Sequence, residues 1–346
     1  MLNNLLSIFV PLLLSLFLTP LMIVIAKKRS VLDVPDKRKS HNIPTPLLGG
    51  VAILIATVVS ISLFATSTSV IVKLVMIGGL SGVALIGLID DVLTVGAKKR
   101  LIVLIVLAIV VYVGSLQIYV VTHVNTLTAE IFFGAFVIIW IVGVTNAVNF
   151  SDGIDGLSSY LSLVATIAFA ILFALQGRTV FALPIALSLS GAIAGFIPYN
   201  RTPAMIFMGD AGSMFIGFIL GMLSIMSISK EASILSLVVP LYILLVPITD
   251  MCMSILRRIL IKKPIMQPDK MHLHHVLNKR FNNHLIVVII LSLIQLAFAG
   301  FGIIIFIYKI YLVGAIVLVT IVVIAVLITV VSAIAYRKKH AVKESN

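Results

Sequence analysis

The sequence predicts an all-α polytopic membrane protein with about eleven transmembrane helices, its N-terminus outside and its C-terminus cytoplasmic. Three observations predict it. The chain of 346 residues is 61% hydrophobic and only 11% charged, with a mean hydropathy of +1.25. Soluble domains are about half apolar and about a quarter charged. The apolar residues fall in runs near the roughly 20 residues that a bilayer-crossing helix needs. The basic residues, finally, gather in alternate connections between those runs.

The runs lie near residues 4–26, 48–66, 69–89, 101–122, 131–148, 158–176, 180–197, 212–228, 233–253, 285–307 and 310–336. They lack the period-two alternation of a membrane β-barrel. Unpaired backbone is not tolerated in lipid, so the runs are expected as helices. The first has no positive n-region and no small-residue cleavage site, and reads as a retained span rather than a signal peptide. No soluble module, internal repeat or low-complexity linker interrupts the series, so residues 1–346 read as one integral membrane domain. The single cysteine, Cys252, allows no internal disulfide and reads as helix filler.

Charge sets the expected orientation. Twenty-one of the 25 Lys and Arg residues fall on one side and four, Lys73, Arg178, Lys230 and Lys309, on the other. The positive-inside rule makes the rich side cytoplasmic. It predicts residues 27–47, 90–100, 149–157, 198–211 and 254–284 at the cytoplasmic face. The net charge of +13 then belongs mainly to that face, where it suits topology and anionic lipid. No basic soluble module is present to bind nucleic acid.

The acids are scarcer, and their placement carries the chemistry. Asp90, Asp91, Asp152, Asp155 and Asp210 all fall at span ends on the predicted cytoplasmic side. One Asp at a helix end is commonly a cap. Five beside lipid on one face are expensive and mark a functional site. Each lies beside glycine or another small residue, in "GLIDDV", "NFSDGIDG" and "IFMGDAGSMF". Such neighbours allow close approach to a ligand. Carboxylates of this kind suit Mg2+, with Mn2+ as the alternative ion; Mg2+ takes one or two carboxylates plus phosphate oxygens. The stretch "DGIDG" is not a calcium loop, since oxygens at alternate positions and the twelfth-position Glu are missing. A Walker A loop is also missing.

Spacing refines the assignment. Asp90 and Asp91 are adjacent, so on a helix their side chains diverge by about 100° and take separate roles. Asn146 and Asn149 are three apart and share a helix face. Asp152 and Asp155 repeat that spacing. Two basic stretches complete the face. In "DVPDKRKSHNIPTPLLGG", Lys37, Arg38 and His41 can bind phosphate, and a positive-inside anchor accounts for the charges equally well, though not for His41 or for Gly49 and Gly50. In "RRILIKKPIMQPDKMHLHHVLNKR", His272, His274 and His275 suggest phosphate or sugar recognition. Zinc is the weaker reading, because no HExxH and no cysteine partner accompany them.

Five stretches together carry a resemblance: "PDKRKSHNIPTPLLGG", "GLIDDV", "NAVNFSDGIDGLSS", "PYNRTPAMIFMGDAGSMFIGF" and "DKMHLHHVL", between residues 27 and 284. In this order they resemble the polyprenyl-phosphate N-acetylhexosamine-1-phosphate transferases. The "HLHH" form is similar to the UDP-GlcNAc branch; the phospho-MurNAc-pentapeptide translocases usually carry three consecutive histidines there. The resemblance implies attack by undecaprenyl phosphate on the β-phosphorus of a UDP-sugar, with release of UMP, at the cytoplasmic face of a bacterial plasma membrane. It implies Mg2+ on Asp210, with Asp152 as a second ligand. Asp90 or Asp91 would accept a proton from the lipid phosphate or position it, and the other would support the fold or a basic partner such as Lys98. Asn146, Asn149, Asp152, Asp155 and Asn200 would hold nucleotide, metal or one another, and the histidine loop would grip diphosphate and sugar. A homodimer is a further expectation. A transporter is the rival class, but its site is expected at the bilayer midplane between repeated halves.

Overall fold

The computed structural model describes residues 2–35, 43–66, 69–115, 127–228, 234–264 and 272–344. Thirteen α-helices, one short 3-10 helix (Ile234–Leu237) and one two-stranded ribbon make up the described elements. They are α1 (Leu2–Lys28), β1 (Leu32–Asp33), β2 (Thr45–Pro46), α2 (Gly49–Phe64), α3 (Val70–Leu93), α4 (Ala97–Gly114) and α5 (Leu127–Phe150). There follow α6 (Leu157–Leu175), α7 (Ala182–Asn200), α8 (Gly209–Met226), α9 (Val238–Ile243), α10 (Leu245–Leu260), α11 (Leu273–Phe281), α12 (His284–Tyr308) and α13 (Tyr311–Glu344).

Each apolar run becomes a helix or a helix pair. Among the described residues, eight helices are long and apolar enough to cross a membrane: α1, α3, α5, α6, α7, α8, α12 and α13. The pair α9–α10 makes a ninth candidate, bent by 91°. The other two runs give shorter or more charged helices. α2 has 16 residues, and α4 opens on Lys98, Lys99 and Arg100. The chain is thus a multi-pass helical membrane protein.

The helix α8 is the axis of the bundle. Its apolar segment is 94% buried, against 17% for α13. A helix apolar on all sides is stable only when neighbours enclose it. Small residues bring those neighbours close. A Cβ added at Gly50 of α2 would lie 2.2 Å from the Gly212 nitrogen of α8, and one at Gly87 of α3 would lie 2.5 Å from the Asp210 carbonyl oxygen. Helices in lipid gain from such backbone approach because packing, rather than hydrophobic burial, drives their association. The pair Gly49 and Gly50, unexplained by charge, therefore has a packing reason. Their N–H groups also donate to the carbonyls of Phe207 (3.1 Å) and Met208 (2.9 Å), leading into α8.

The bend between α9 and α10 is stabilised from another helix. Breaking a helix strands a carbonyl and an amide, which lipid cannot satisfy. Gln295 of α12, fully buried, answers both: its Nε2 donates to the Ile243 carbonyl, and its Oε1 accepts from the Val246 N–H at 3.3 Å. The bend sends α10 off as an amphipathic helix whose end carries Arg257 and Arg258.

Candidate active site

The ends of α3, α5, α7 and α8, the ribbon and the start of α11 surround one cavity of about 440 Å3. Asp90, Asp91, Asp152, Asp155 and Asp210 all line it. Five carboxylates separated by as many as 120 positions in sequence thus share one wall. Asn149, Asn200 and His275 line it too, together with Asp33 at the end of β1.

Asp90 and Asp91 do diverge. Asp91 turns to the N-terminus of α8, where its two oxygens accept from the N–H groups of Asp210 (2.8 Å) and Ala211 (3.1 Å). A carboxylate there satisfies two orphan amides and complements the helix dipole. The backbone turns into α8 through Gly209 at φ 69°, where a Cβ would stand 2.5 Å from the Asp91 Oδ2. Asp90 instead pairs with Arg100, and the same Arg100 Nη1 also contacts Asp210. The second oxygen of Asp210 accepts from the Asn149 Nδ2 at 2.7 Å, and that amide reaches the Ser213 hydroxyl at 2.9 Å.

The basic partner is therefore Arg100 rather than Lys98. Both lie in the first turn of α4, but Lys98 is exposed while Arg100 faces the acids. The turn that leads into α4 passes through Thr94 in the left-handed region, at φ 50°.

Asp152 sits in the turn after α5. Burial, reinforced by the charges of Asp210, Asp91 and Asp155, pushes its carboxyl up to about 8. Asp155 and Asn200 act on the 201–207 loop. Asp155 accepts from the Ala204 N–H at 3.0 Å. Asn200 donates to the Ile206 carbonyl at 3.0 Å and accepts from Ser159 at 2.7 Å. The Asn200 amide is thus engaged at both ends, as a brace under the cavity floor. Asn146 differs from its neighbour Asn149: it donates to Val142 one turn back, at 2.8 Å, and is absent from the cavity lining. Three-residue spacing alone did not bring it to the site.

The histidine segment reaches the cavity from α11. Asp250 of α10 holds its start, accepting from the Leu273 N–H at 2.7 Å and meeting the His272 Nδ1 at 3.1 Å. His272 and His274 stack at 5.7 Å with planes 7° apart. The His274 Nε2 is buried without a hydrogen-bond partner among the described residues. It abuts Gly153, where a Cβ would lie only 2.3 Å away. Burial, followed by repulsion from His275, pulls His274 down to about 3, so it is neutral at ordinary pH. Asp250 escaped the sequence reading. Its signal was the one that marked the other five, an acid at the end of an apolar run. Lys37, Arg38 and His41 lie outside the described residues.

The donor set tests the fit of a divalent cation. Among the described residues, no three acidic or imidazole groups converge to hold an ion alone. Asp90 and Asp210 nevertheless touch one shared guanidinium nitrogen, so their oxygens are close enough to share one ion. Two hard carboxylates with room for phosphate oxygens is the arrangement Mg2+ uses.

The chain as a whole resembles known proteins. The chain belongs to glycosyl transferase family 4, whose model matches residues 73–228. It is 35% identical over 303 residues to a probable undecaprenyl-phosphate N-acetylglucosaminyl 1-phosphate transferase of Bacillus subtilis, covering 86% of this chain and 84% of that protein. An undecaprenyl-phosphate alpha-N-acetylglucosaminyl 1-phosphate transferase of Thermotoga maritima is 29% identical over 288 residues, covering 80% and 83%. A phospho-N-acetylmuramoyl-pentapeptide-transferase of Staphylococcus saprophyticus is 30% identical over 251 residues, covering 65% and 77%.

Proposed function

We propose that the protein transfers N-acetylglucosamine 1-phosphate from UDP-N-acetylglucosamine to undecaprenyl phosphate, releasing UMP, as an initiating step of a cell-envelope polysaccharide or teichoic acid. The observation that carries the reading is the single cavity where five carboxylates meet at one end of an apolar bundle. There a membrane lipid and a soluble nucleotide can meet. The 35% relationship to an N-acetylglucosaminyl 1-phosphate transferase over most of both chains supports this sugar.

In this reading an oxygen of the lipid phosphate attacks the β-phosphorus. A new P–O bond forms, the bond from that phosphorus to the bridging oxygen breaks, and the electron pair leaves on UMP. Asp90 takes a proton from the lipid phosphate when that group arrives protonated. Asp91 fixes the start of α8 and thereby Asp210. Asn149 orients Asp210. Asp210, with Asp90 or Asp152, would hold Mg2+, which when bound supplies positive charge to the reacting phosphates. His275, on the cavity wall, faces the diphosphate and sugar, neutral His274 packs behind it against Gly153, and Asp250 keeps the segment in place. Lys37, Arg38 and His41 complete the grip on phosphate.

The same reading places the cavity at the cytoplasmic face of a bacterial plasma membrane, because 21 of 25 basic residues belong to that side. It takes α2, α4 and the α9–α10 pair as further crossings, for eleven in all, and it retains a homodimer. Two experiments test it. Purified protein with Mg2+ and undecaprenyl phosphate is expected to release UMP from UDP-N-acetylglucosamine and not from UDP-MurNAc-pentapeptide; the reverse preference makes it a pentapeptide transferase. Ser40→Cys and Asn278→Cys are expected to resist an impermeant reagent added to intact cells. Labelling of either from outside would overturn the orientation and the site with it.

A further inference from the structure

Among the described residues, Arg100 is the cation set among the acids, and its partners are informative. Its Nη1 contacts the Oδ2 atoms of Asp90 and Asp210 at once. The neighbouring oxygens of Asp91 and Asp210 are already engaged. Both oxygens of Asp91 are on backbone N–H groups, and the other oxygen of Asp210 is on Asn149. Arg100 thus occupies the place between two carboxylates where a divalent ion would be shared. A guanidinium does not lose its proton, so it cannot neutralise itself when a cation arrives. It has to leave. It projects from the first turn of α4, and its side chain keeps 19% of its surface exposed, which leaves it open space to turn into. A freed guanidinium beside a diphosphate finds fork-shaped acceptors that match it better than a metal-bound carboxylate.

We propose that Arg100 is an internal counter-ion that bridges Asp90 and Asp210 while no divalent cation is bound, then yields both carboxylates to the cation and turns to the substrate phosphates. The proposal rests on the functional reading above, since it takes the cation and the phosphates from it. It explains how an apolar bundle folds around clustered carboxylates before any metal is present. Like charges gathered at low dielectric repel strongly, and one guanidinium shared by two of them offsets part of that repulsion. It also makes metal and guanidinium competitors, which can be measured without turnover.

The test uses purified full-length protein, Arg100→Gln and Arg100→Lys, with Mn2+ as the probe followed by its EPR signal in the absence of substrates. Arg100→Gln is expected to bind Mn2+ at least about fivefold tighter than the parent, the lower end of ordinary coupling between ligands. In EDTA it is expected to unfold at lower temperature than the parent and to regain more of that loss when Mn2+ is added. Arg100→Lys keeps the charge and is expected to follow the parent in EDTA, which separates a counter-ion from a general packing role. UMP is expected to bind Mn2+-loaded Arg100→Gln more weakly than the loaded parent. Equal or weaker Mn2+ binding by a folded Arg100→Gln overturns the proposal while leaving the metal-dependent transferase intact. Loss of stability in EDTA by Arg100→Lys as large as that of Arg100→Gln also overturns it. If the parent and both variants give no bound Mn2+ signal, the metal assignment fails together with the proposal, and that outcome is distinct from the first.

Discussion

Two buried polar sites in this bundle solve opposite problems. At the bend between α9 and α10, one neutral side chain, Gln295, meets one stranded acceptor with one donor and one stranded donor with one acceptor. No charge enters, and both backbone groups of the break are matched. At the cavity, five carboxylates face one shared space and Arg100 bridges two of them. There the hydrogen-bonding capacity and the charge exceed what the described partners supply. The difference separates structure from function. A matched polar group in lipid stabilises a shape, whereas an unmatched concentration of charge is a binding capacity held in reserve.

The largest effects are expected where that reserve is removed. Asp90→Asn keeps the volume and removes the charge, and a lost general base costs about 10²–10⁴-fold in rate. Turnover should fall by that order while the melting temperature stays close to the parent. Asp91→Asn should behave differently. An amide offers one oxygen to two N–H groups, so α8 loses part of its cap, worth about 1 kcal/mol, and thermal unfolding should move down together with the rate. If Asp91→Asn proves dead at unchanged stability, the two roles are exchanged.

The bend should show the converse. Gln295→Leu leaves the Ile243 carbonyl and the Val246 N–H unsatisfied, at about 1–3 kcal/mol for a buried group. Unfolding followed by circular dichroism should detect it, with measurable turnover remaining in the folded fraction. Unchanged stability would mean that the bend is satisfied by other means, and the comparison would lose one of its halves.

A smaller effect should follow from His274. Its folded value, near 3, lies below the ordinary 6.5. A depressed histidine contributes stability that is fully present above about 6.5 and is lost as pH falls toward 3. His274→Gln should therefore flatten the decline of melting temperature between pH 7 and 4. An identical decline in the variant would show that His274 titrates normally.

The smallest effect sharpens the contrast from the far end of the bundle. Arg178 is charged, yet it caps α8 by donating to the carbonyls of Met226 and Ile228. Arg178→Met should cost about 1 kcal/mol of stability and leave UMP release within about twofold, as expected for surface-side changes away from the site. A large loss of rate would show that the two ends of α8 are coupled.

Composition and pattern determined the membrane class, because apolar runs of this length have no other stable solution than helices in lipid. Pattern also gathered Asp90, Asp91, Asp152, Asp155 and Asp210. Alternating spans carry the ends of α3, α5, α7 and α8 to one face, so connectivity alone makes those acids neighbours. Adjacency likewise foretold that Asp90 and Asp91 would part, since a helix turns about 100° per residue. What remained for the tertiary structure was the choice of partner. Lys98, Lys99 and Arg100 are all basic; the placement of α4 after the turn through Thr94 and the step of about 100° between successive residues bring Arg100 to the acids. Asn146 and Asn149 share a spacing, but the neighbours of α5 admit only Asn149 to the cavity. The bend at Leu244 has one sign in the sequence, Pro247, which has no N–H for the Ile243 carbonyl four residues back; the residue that satisfies the break lies on α12, about fifty positions away, and no local pattern names it. Local sequence encodes which groups a helix presents. Which of them meet is set by backbone turns and packing between segments far apart in the chain, and those are properties of the assembled bundle.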